Sequence, residues 1–462
     1  MKYTSTRGAS PALSFAEATM AGLAPDGGLY LPSEWPQLSR DEIAGFAGQP
    51  YQNVAFAVMR PFVGDDLPDD DLRALIDKAY SRFNHAAIAP LKQLSHDQWL
   101  LELFHGPTLA FKDFALQFLG HLFEYLLARS GTDLTIIGAT SGDTGSAAID
   151  ALAGREHVDI FMLHPHDRVS PVQRRQMTTV QAPNVYNLAI DGTFDDAQAL
   201  VKQGFADQQM RGRLTLSAVN SINWTRVMAQ IVYYFYAAAQ LGAPNRSVSF
   251  SVPTGNFGDI FAGYCAYKMG LPIDVLVIAT NRNDILHRAI QAGDYSAQGV
   301  EPTSSPSMDI QVASNFERLL CDCSGGDGRL IGQMMAEFND TKSLRIPADL
   351  LEKIRPLFRS ARVDEEATAE KIRTMLDHTG ELVDPHTAVG LAAADSHQSH
   401  APMITLATAH PGKFRSAVER ACGIRPSLPN HLAGLFDREE RFDRLPNSFD
   451  ALRSYVFEKK AA

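Results

Sequence analysis

Apolar residues along this chain fall into two patterns, and the way the patterns alternate indicates the fold class. Beyond about residue 97, short and nearly continuous apolar runs occur in the order LTIIGAT, VDIFMLH, NVYNLAI, SVSFSVPT, IDVLVIAT and PMITLATA. Segments with helical periodicity separate these runs. Strands that alternate with helices form βαβ units, and continuous apolar runs are typical of strands buried on both faces. The pattern predicts a doubly wound α/β protein with a mostly parallel sheet.

The chain of 462 residues is too long for one ordinary hydrophobic core, so we expect several domains. We predict a mainly helical N-terminal domain over residues 1–95, a smaller α/β domain over 96–235 and a larger α/β domain over 236–462. Clusters of Gly, Ser, Pro and Asp predict long loops over 296–309 and 321–328. The stretch from 330 to 400 is predicted to be mainly helical.

Composition narrows the classes of function. Hydrophobic residues make up 45% of the chain and charged residues 21%, which is typical of a globular protein. A net charge of −11 without long charged runs argues against nucleic acid or an anionic membrane as the partner. The four cysteines do not have zinc-ligand spacing, so we expect no metal site. We find neither a signal-peptide pattern nor a run of about 20 apolar residues, and we expect a cytoplasmic protein with no obligate protein partner.

The segment HGPTLAFKDFALQFLG places a lysine at the start of a strongly apolar helix. Apolar residues recur at helical spacing from Phe111 through Phe114 and Phe118, so Lys112 is predicted to lie in the first turn. Burial among aromatic rings disfavours an ammonium ion, and a neutral amine can attack an aldehyde and carry protons. From this segment alone, a surface lysine paired with Asp113 is the more ordinary interpretation.

Two strand-to-helix turns are candidate anion sites. The first, LTIIGATSGDTGSAAI, offers hydroxyls at Thr140, Ser141 and Thr144 beside a helix N-terminus, although Asp143 is unusual for a phosphate site. The second, PTGNFGD, follows the same design, and neither turn matches a dinucleotide or P-loop fingerprint. Each turn alone is as consistent with a plain connection as with an anion site. Together they favour a small ligand with two anionic groups.

In the second turn, we expect Gly255 and Gly258 to allow close backbone approach and positive φ, while the amide of Asn256 can donate a hydrogen bond. Near the C-terminus, the run MITLATAHPGKF places Thr408 and Lys413 at the carboxyl end of a buried strand, where open α/β sheets bind ligands.

The segment AVNSINWTR adds a polar cluster before a long apolar helix. Its members are Asn220, Ser221, Asn223 and Arg226. Helix capping accounts for one of these residues but not for all of them.

Taken together, these motifs resemble the threonine synthases, a family of pyridoxal-phosphate enzymes in the tryptophan synthase β-like (fold type II) group. The resemblance covers nearly the whole chain. It includes YTSTRG, GLAPDGGLYLP, HGPTLAFKDF, GATSGDTGSAAI, AVNSINWTR, PTGNFGD, SMDIQVASNFERLL, DPHTAVG and TAHPGKF. HGPTLAFKDF followed by PTGNFGD is the most specific combination. The resemblance implies two mostly parallel open sheets flanked by helices, with a helical N-terminal extension.

The resemblance also implies pyridoxal 5'-phosphate as the cofactor, held by Lys112 as a Schiff base. The implied cofactor-binding residues are Lys112, Asp143, Gly255, Asn256, Phe257, Gly258 and Thr408, where Thr408 faces the pyridine nitrogen and the glycine loop holds the phosphate. Asp143 stands where many fold type II relatives have an asparagine beside the ring oxygen. The implied substrate-binding residues are Thr140, Ser141 and Thr144 for the carboxylate, and Asn220, Ser221, Asn223, Arg226 and Lys413 for the substrate phosphate.

The reaction implied by the resemblance converts O-phospho-L-homoserine and water to L-threonine and phosphate. Two other functions stay open at this point. The same scaffold could eliminate phosphate or water to give a 2-oxo acid, as a phospholyase or dehydratase does, and no residue in the sequence separates the two reactions. A non-catalytic member of the family is the more distant alternative, and the presence of Lys112, both anion loops and Thr408 argues against it.

Overall fold

The computed structural model describes residues 1–397 and 401–461. Its strands are β1 (Tyr3–Ser5), β2 (Tyr30–Pro32), β3 (Leu91–Gln93), β4 (Gln98–Glu102), β5 (Leu134–Ala139), β6 (Val158–Pro165), β7 (Val185–Asp191), β8 (Leu216–Ser217), β9 (Val248–Pro253), β10 (Ile273–Thr280), β11 (Asp294–Ser296), β12 (Ser343–Arg345), β13 (Phe358–Arg362), β14 (Met403–Ala407) and β15 (Asp443–Pro446). The strands β5, β6, β7, β9, β10 and β14 coincide with the six predicted apolar runs.

The helices follow capping and periodicity signals in the sequence. They are α1 (Phe15–Ala21), α2 (Arg40–Ala44), α3 (Tyr51–Val63), α4 (Asp69–Tyr80), α5 (Lys112–Ser130), α6 (Asp143–Leu152), α7 (Pro171–Thr178), α8 (Phe194–Ala206), α9 (Gln208–Arg213), α10 (Trp224–Gln240), α11 (Gly258–Lys268), α12 (Ile285–Ala292), α13 (Phe316–Cys323), α14 (Gly328–Thr341), α15 (Ala348–Ile354), α16 (Glu365–Thr379), α17 (Pro385–Asp395), α18 (Arg415–Cys422) and α19 (Phe449–Ala461). No helix within residues 1–397 and 401–461 is long and apolar enough to cross a membrane.

The chain forms two compact units. Unit 1 comprises Met1–Asp77, Phe83–Phe111 and Ser221–Ser427. Its main sheet has the order β13-β10-β9-β14-β4-β3, parallel except for the antiparallel pairing of β3 with β4. The strand β9 is buried along its whole length, and α17 packs on β9, β10 and β14. Because both faces of this strand are buried, its two alternate polar positions hold the small and fully buried Ser249 and Ser251.

Unit 2 comprises Lys78–Arg82, Lys112–Asn220 and Leu428–Ala462. Its sheet has the order β15-β7-β6-β5-β8, and all of these pairings are parallel. Apolar side chains from β6, β7, α8 and α19 form a core on this sheet. The prediction of two mostly parallel open sheets flanked by helices is therefore confirmed.

The two units are not the three ranges predicted from the sequence. Residues 98–102 were expected in the smaller domain but belong to the sheet of unit 1, because β4 pairs with β14 in the register Gln98↔Met403. The C-terminal residues from Leu428 were expected in the larger domain but belong to unit 2, because β15 pairs with β7. Both pairings join segments that are more than 200 residues apart, so local pattern does not reveal them.

Some local predictions also need correction. The N-terminal region contains a small antiparallel pair, β1 with β2, in addition to its helices. The stretch from 330 to 400 contains β13, an edge strand of the main sheet, and residues 321–323 end α13 instead of opening a loop. Strands of three to five residues carry too few positions for their periodicity to be distinguished from that of helices or loops.

A half-buried histidine on α5 gives a pH-dependent stability that can be tested. Burial and the adjacent guanidinium of Arg155, 2.8 Å from Nδ1, lower the pKa of His121 to about 4. The unfolded chain therefore binds this proton below about pH 6.5 while the folded chain does not, so stability is lost as pH falls from about 6.5 towards 4. Solvent screening of a half-exposed group reduces the expected loss to about 1 kcal/mol.

We expect His121→Gln to flatten the decline of unfolding free energy between pH 6.5 and 4, measured by denaturant titration. His96, whose side chain is 90% exposed, provides the control, and His96→Gln should leave the slope as it is in the native chain. If the unfolding free energy fell equally steeply with pH in native and His121→Gln protein, His121 would not be the source of this pH dependence.

Candidate active site

The first site residue is a lysine that lies at the very start of a buried helix. Lys112 is the first residue of α5, as its position in the apolar period predicted, and it is only 9% exposed. Its Nζ lies 3.5 Å from Oδ2 of Asp143, which is 4% exposed. Asp113 is itself fully buried. These positions exclude the surface lysine paired with Asp113 that the segment alone would favour.

The residues just before Lys112 are fixed within unit 1 along the end of β14. The backbone N–H of Phe111 donates to the carbonyl of Thr408 at 2.9 Å, and an isolated bridge joins Ala110 to Ala409. Thr408 is buried at the carboxyl end of this strand, where its hydroxyl was predicted to serve a ligand. The backbone pairing fixes the position of the chain one residue before Lys112.

The PTGNFGD turn joins β9 to α11 in unit 1 and approaches other backbone segments very closely. A Cβ atom on Gly255 would lie 2.6 Å from the carbonyl oxygen of Ser307, and one on Gly258 would lie 3.2 Å from Nδ2 of Asn315. The predicted close approach is therefore confirmed at both glycines. Helix α11 has 11 residues and starts at Gly258, so its first N–H groups and its dipole can stabilise an anion.

Positive φ in this turn falls on a different residue from the predicted ones. Phe257 has φ 65° and ψ 0°, whereas Gly255 and Gly258 are outside the positive-φ region. The prediction of positive φ at the two glycines is wrong. A left-handed phenylalanine is uncommon, and its ring is fixed by packing against Phe316 and Phe358 at centroid distances of 5.2 and 5.9 Å.

Asn315, in the segment SNFERLL, supports the glycine turn and was not identified as a site residue from the sequence. Its backbone N–H and its Nδ2 both donate to the carbonyl of Asn256 at 3.1 Å, and Nδ2 also donates to the carbonyl of Ser221 at 3.0 Å. Arg318 in turn holds Oδ1 of Asn315. A long-range hydrogen bond of this kind has no local sequence signal, although SNFERLL was one of the segments that carried the resemblance.

In the serine/threonine loop of unit 2, one of the hydroxyl groups already takes part in hydrogen bonds within the loop. Oγ1 of Thr140 accepts hydrogen bonds from the N–H groups of Gly142 and Gly145, both at 2.9 Å. Both lone pairs of this oxygen are therefore used, and the hydroxyl can contact a ligand only by donating its hydrogen. Ser141 and Thr144 are half-buried. The carboxylate of Asp143 accepts from Nε2 of Gln173 at 2.8 Å, a partner on α7 that the sequence did not indicate.

The cluster AVNSINWTR separates into different roles. Asn223 is fully buried and caps α10: its Oδ1 accepts from the N–H of Thr225 at 3.0 Å, while Nδ2 donates to the carbonyl of Thr19 at 2.9 Å. One bond at each end of its amide gives Asn223 a structural role at the start of α10, and its predicted contact with the substrate stays a prediction. Asn220 is exposed, and the hydroxyl of Ser221 lies 3.4 Å from that of Ser314.

Two of the predicted substrate ligands are buried cations of unit 1. Arg226 is 4% exposed in the first turn of α10, and desolvation lowers its pKa to about 10, which leaves it charged at neutral pH. Lys413 is 1% exposed and donates from Nζ to the carbonyl of Thr108 at 2.8 Å. It therefore fixes the HGPT segment, in addition to its predicted role as a phosphate ligand.

The predicted site residues are distributed over both units. Unit 1 contains Ser221, Asn223, Arg226, Gly255, Asn256, Phe257, Gly258, Thr408 and Lys413, and unit 2 contains Lys112, Thr140, Ser141, Asp143, Thr144 and Asn220. Within unit 2 the structure brings Lys112 to Asp143, and within unit 1 it brings Ser221 and the glycine turn to Asn315.

These residues fit pyridoxal phosphate on chemical grounds. The buried amine of Lys112 can form a covalent bond with an aldehyde. The glycine turn leaves no room for a Cβ at Gly255 and ends in a helix N-terminus suited to a phosphate. A buried hydroxyl, Thr408, lies at the end of a central strand, where a ring nitrogen can be hydrogen-bonded.

Comparison with known proteins agrees along the whole chain. Three family descriptions match it: "Threonine synthase N terminus" over residues 2–80, "Pyridoxal-phosphate dependent enzyme" over 85–337 and "Threonine synthase, C-terminal" over 387–456. A threonine synthase from Pseudomonas aeruginosa is 54% identical over 459 residues, covering 99% of this chain and 98% of that protein. The chain belongs to the threonine synthase family.

Solved threonine synthases have the same fold. A threonine synthase from Brucella melitensis, solved with pyridoxal phosphate bound, is 51% identical with a TM-score of 0.98, and all of both chains is covered. The yeast threonine synthase structure is 40% identical with a TM-score of 0.94, covering 100% of this chain and 99% of that one. This protein is accordingly a pyridoxal-phosphate-dependent lyase with the fold type II architecture.

Proposed function

We propose that this protein converts O-phospho-L-homoserine and water to L-threonine and phosphate, the last step of threonine biosynthesis. The observation that supports this most directly is the buried Lys112 at the start of α5, within a chain that matches threonine synthases over its full length. The proposed substrate is a small molecule with a carboxylate and a phosphate, which agrees with two anion-binding turns in one chain. The predicted cytoplasmic location stays a prediction.

The proposed cofactor contacts follow the positions described above. Lys112 would hold pyridoxal phosphate covalently, the turn from Gly255 to Gly258 would bind its phosphate, and Thr408 would hydrogen-bond its ring nitrogen. When bound, the cofactor supplies the electron sink for the carbanions of this reaction. A hydroxyl group beside the ring nitrogen carries no negative charge, so it would not favour the protonated form of that nitrogen.

The chain's own residues would position the substrate and move its protons. Lys112 Nζ would remove the proton at Cα and then one at Cβ, and would return protons to Cα and Cγ. The carbon–oxygen bond at Cγ breaks to release phosphate, and water supplies the hydroxyl at Cβ. This sequence balances, because the two protons removed are the two returned, and the remaining proton of the water is matched by the one that the departing phosphate takes up.

Different groups are proposed for the two anions of the substrate. The hydroxyls of Thr140, Ser141 and Thr144 and the N-terminus of α6 would hold the carboxylate. The buried cations Arg226 and Lys413, with Ser221 and Asn220, would hold the phosphate. Charged donors in a desolvated site give strong bonds to a phosphate, and the net charge of −11 makes such local cations necessary.

Asp143 is proposed to act electrostatically beside Lys112 Nζ and the cofactor. Its carboxylate stabilises positive charge on that nitrogen, so Asp143→Asn should shift the pH transition of the cofactor's visible absorption band to lower pH. Absorbance titration of the purified holoenzyme measures this shift. The exposed pair of Asp133 with His157 offers the control Asp133→Asn, which should not move the transition. An unchanged transition in Asp143→Asn would mean that Asp143 does not influence the cofactor.

The function is tested by incubating the holoenzyme with O-phospho-L-homoserine while following phosphate release and the amino-acid product. Threonine and phosphate in equal amounts support the proposal. Phosphate with 2-oxobutyrate would retain the cofactor and Lys112 but make the protein a phospholyase. Release of no phosphate by holoenzyme with its full cofactor absorbance would favour another substrate or a non-catalytic protein.

A further inference from the structure

The motif DPHTAVG at the start of α17 contains a buried acid–histidine pair with no assigned role. Asp384 is fully buried and caps the helix: its Oδ1 accepts from the N–H of Thr387 and its Oδ2 from the N–H of His386, both at 3.0 Å. The same Oδ2 lies 2.6 Å from Nδ1 of His386, and His386 is only 3% exposed. Capping accounts for Asp384, but it does not account for the histidine.

The other ring nitrogen of His386 reaches a distant segment of unit 1. The backbone N–H of Ser307 donates to Nε2 of His386 at 3.1 Å. An N–H donor at Nε2 requires a lone pair there, so Nδ1 carries the hydrogen and donates it to Asp384. The ring also packs on Phe414 at a centroid distance of 4.7 Å. The histidine thus links the cap of α17 to Ser307 through hydrogen bonds.

Ser307 connects this link to the glycine turn. Its carbonyl oxygen would lie 2.6 Å from a Cβ on Gly255, so this peptide lies directly against the turn. The segment around Ser307 is also fixed by Asp309, whose carboxylate accepts from Thr303 and from the amide of Asn281. Helix α17 itself is attached to β9, the strand that leads into the turn, because Ser251 Oγ donates to the carbonyl of Gly390 at 2.6 Å.

We propose that His386 is a positioning residue that holds Ser307 against Gly255 and so keeps the PTGNFGD turn preformed for the phosphate of the cofactor. This inference rests on the phosphate-binding role proposed above for Gly255. A turn that is already in its bound conformation does not lose conformational freedom on binding, which raises affinity without adding a contact. The effect should appear in affinity for the phosphate group and not in the chemistry at Lys112.

Two substitutions at position 386 test the roles of the two ring nitrogens of His386 separately. His386→Asn places an amide near Nδ1, which keeps the hydrogen bond to Asp384 but leaves the Ser307 N–H without its acceptor. His386→Gln extends an oxygen to the position of Nε2, which keeps an acceptor for Ser307. The Ser307 N–H is only half-buried, so losing its acceptor corresponds to about a 10-fold change in an equilibrium constant, the lower part of the range for a buried donor.

The experiment measures the dissociation constants of pyridoxal 5'-phosphate and of pyridoxal, which lacks the phosphate, for the full-length apoprotein. We expect His386→Asn to weaken the binding of pyridoxal phosphate about 10-fold and to change the affinity for pyridoxal less than threefold. His386→Gln should stay within about threefold of the native protein for both ligands. Equal affinities in the Asn and Gln variants, or equal loss for both ligands, would overturn the proposal. If the Asn variant does not fold, the Gln variant alone is the test. A tenfold loss of its affinity for pyridoxal phosphate would then overturn the proposal.

Gly255→Ala separates this proposal from the one on which it rests. If Gly255→Ala leaves pyridoxal phosphate affinity unchanged, the phosphate role of the turn is wrong and His386 has nothing to position. If Gly255→Ala weakens binding while His386→Asn does not, only the inference about His386 fails. When both are right, the loss caused by Gly255→Ala should be smaller in the His386→Asn background, because Ser307 has then lost one of the bonds that hold it against the added Cβ.

Discussion

Replacing Lys112 by alanine is expected to lower kcat by about 1,000-fold or more and to remove the visible absorbance of the covalently bound cofactor. The amine is both the attachment point and the proposed proton carrier, and proton transfer alone contributes about 100- to 10,000-fold. The variant should still fold. Asp143, which loses its ion pair with Lys112, keeps the hydrogen bond from Gln173.

The measurement for Lys112→Ala is phosphate release from O-phospho-L-homoserine together with an absorbance spectrum after dialysis. Lys202 is exposed on α8 in the same unit, and Lys202→Ala serves as the matched control with native rate and spectrum. Borohydride reduction followed by peptide mass analysis should locate the cofactor on Lys112 in native protein. Native turnover in Lys112→Ala would remove the lysine from the mechanism.

Replacing Arg226 by methionine is expected to raise KM for O-phospho-L-homoserine about 100-fold while the dissociation constant of pyridoxal phosphate changes less than threefold. Removing one partner of a desolvated charge pair costs at least about 2 kcal/mol of binding energy. Methionine fills most of the volume of the buried side chain, so the replacement leaves no large cavity in the core. The effect should therefore be on substrate binding and not on folding.

Steady-state kinetics and cofactor titration of the same preparations test this prediction. Inorganic phosphate should also inhibit Arg226→Met more weakly than native enzyme, because the same site binds the free anion. Arg246, an exposed arginine of unit 1, provides the control Arg246→Met, for which native constants are expected. Loss of cofactor with retained substrate affinity would show that the two anion sites have been assigned the wrong way round.

The sequence determined the elements of this protein and the chemistry that they carry. The apolar runs predicted β5, β6, β7, β9, β10 and β14, because strands buried on both faces are rich in apolar residues and carry few large polar ones. The period around Lys112 placed it in the first turn of α5. The glycines of PTGNFGD predicted close backbone approach, since a side chain at Gly255 has no space. Each of these signals lies within a few residues of the feature it predicts.

Tertiary structure decided the features that depend on residues far apart in the chain. Pairing of β4 with β14 and of β15 with β7 set the limits of the two units. Packing of Phe257 against Phe316 and Phe358 placed the positive φ on an aromatic residue and not on a glycine. Asn315 bonds to Asn256 of the glycine turn across 59 residues, and His386 accepts from Ser307, which lies against that turn, across 79 residues. Such partners have no local pattern, because a hydrogen bond requires proximity in space and places no constraint on spacing in the sequence.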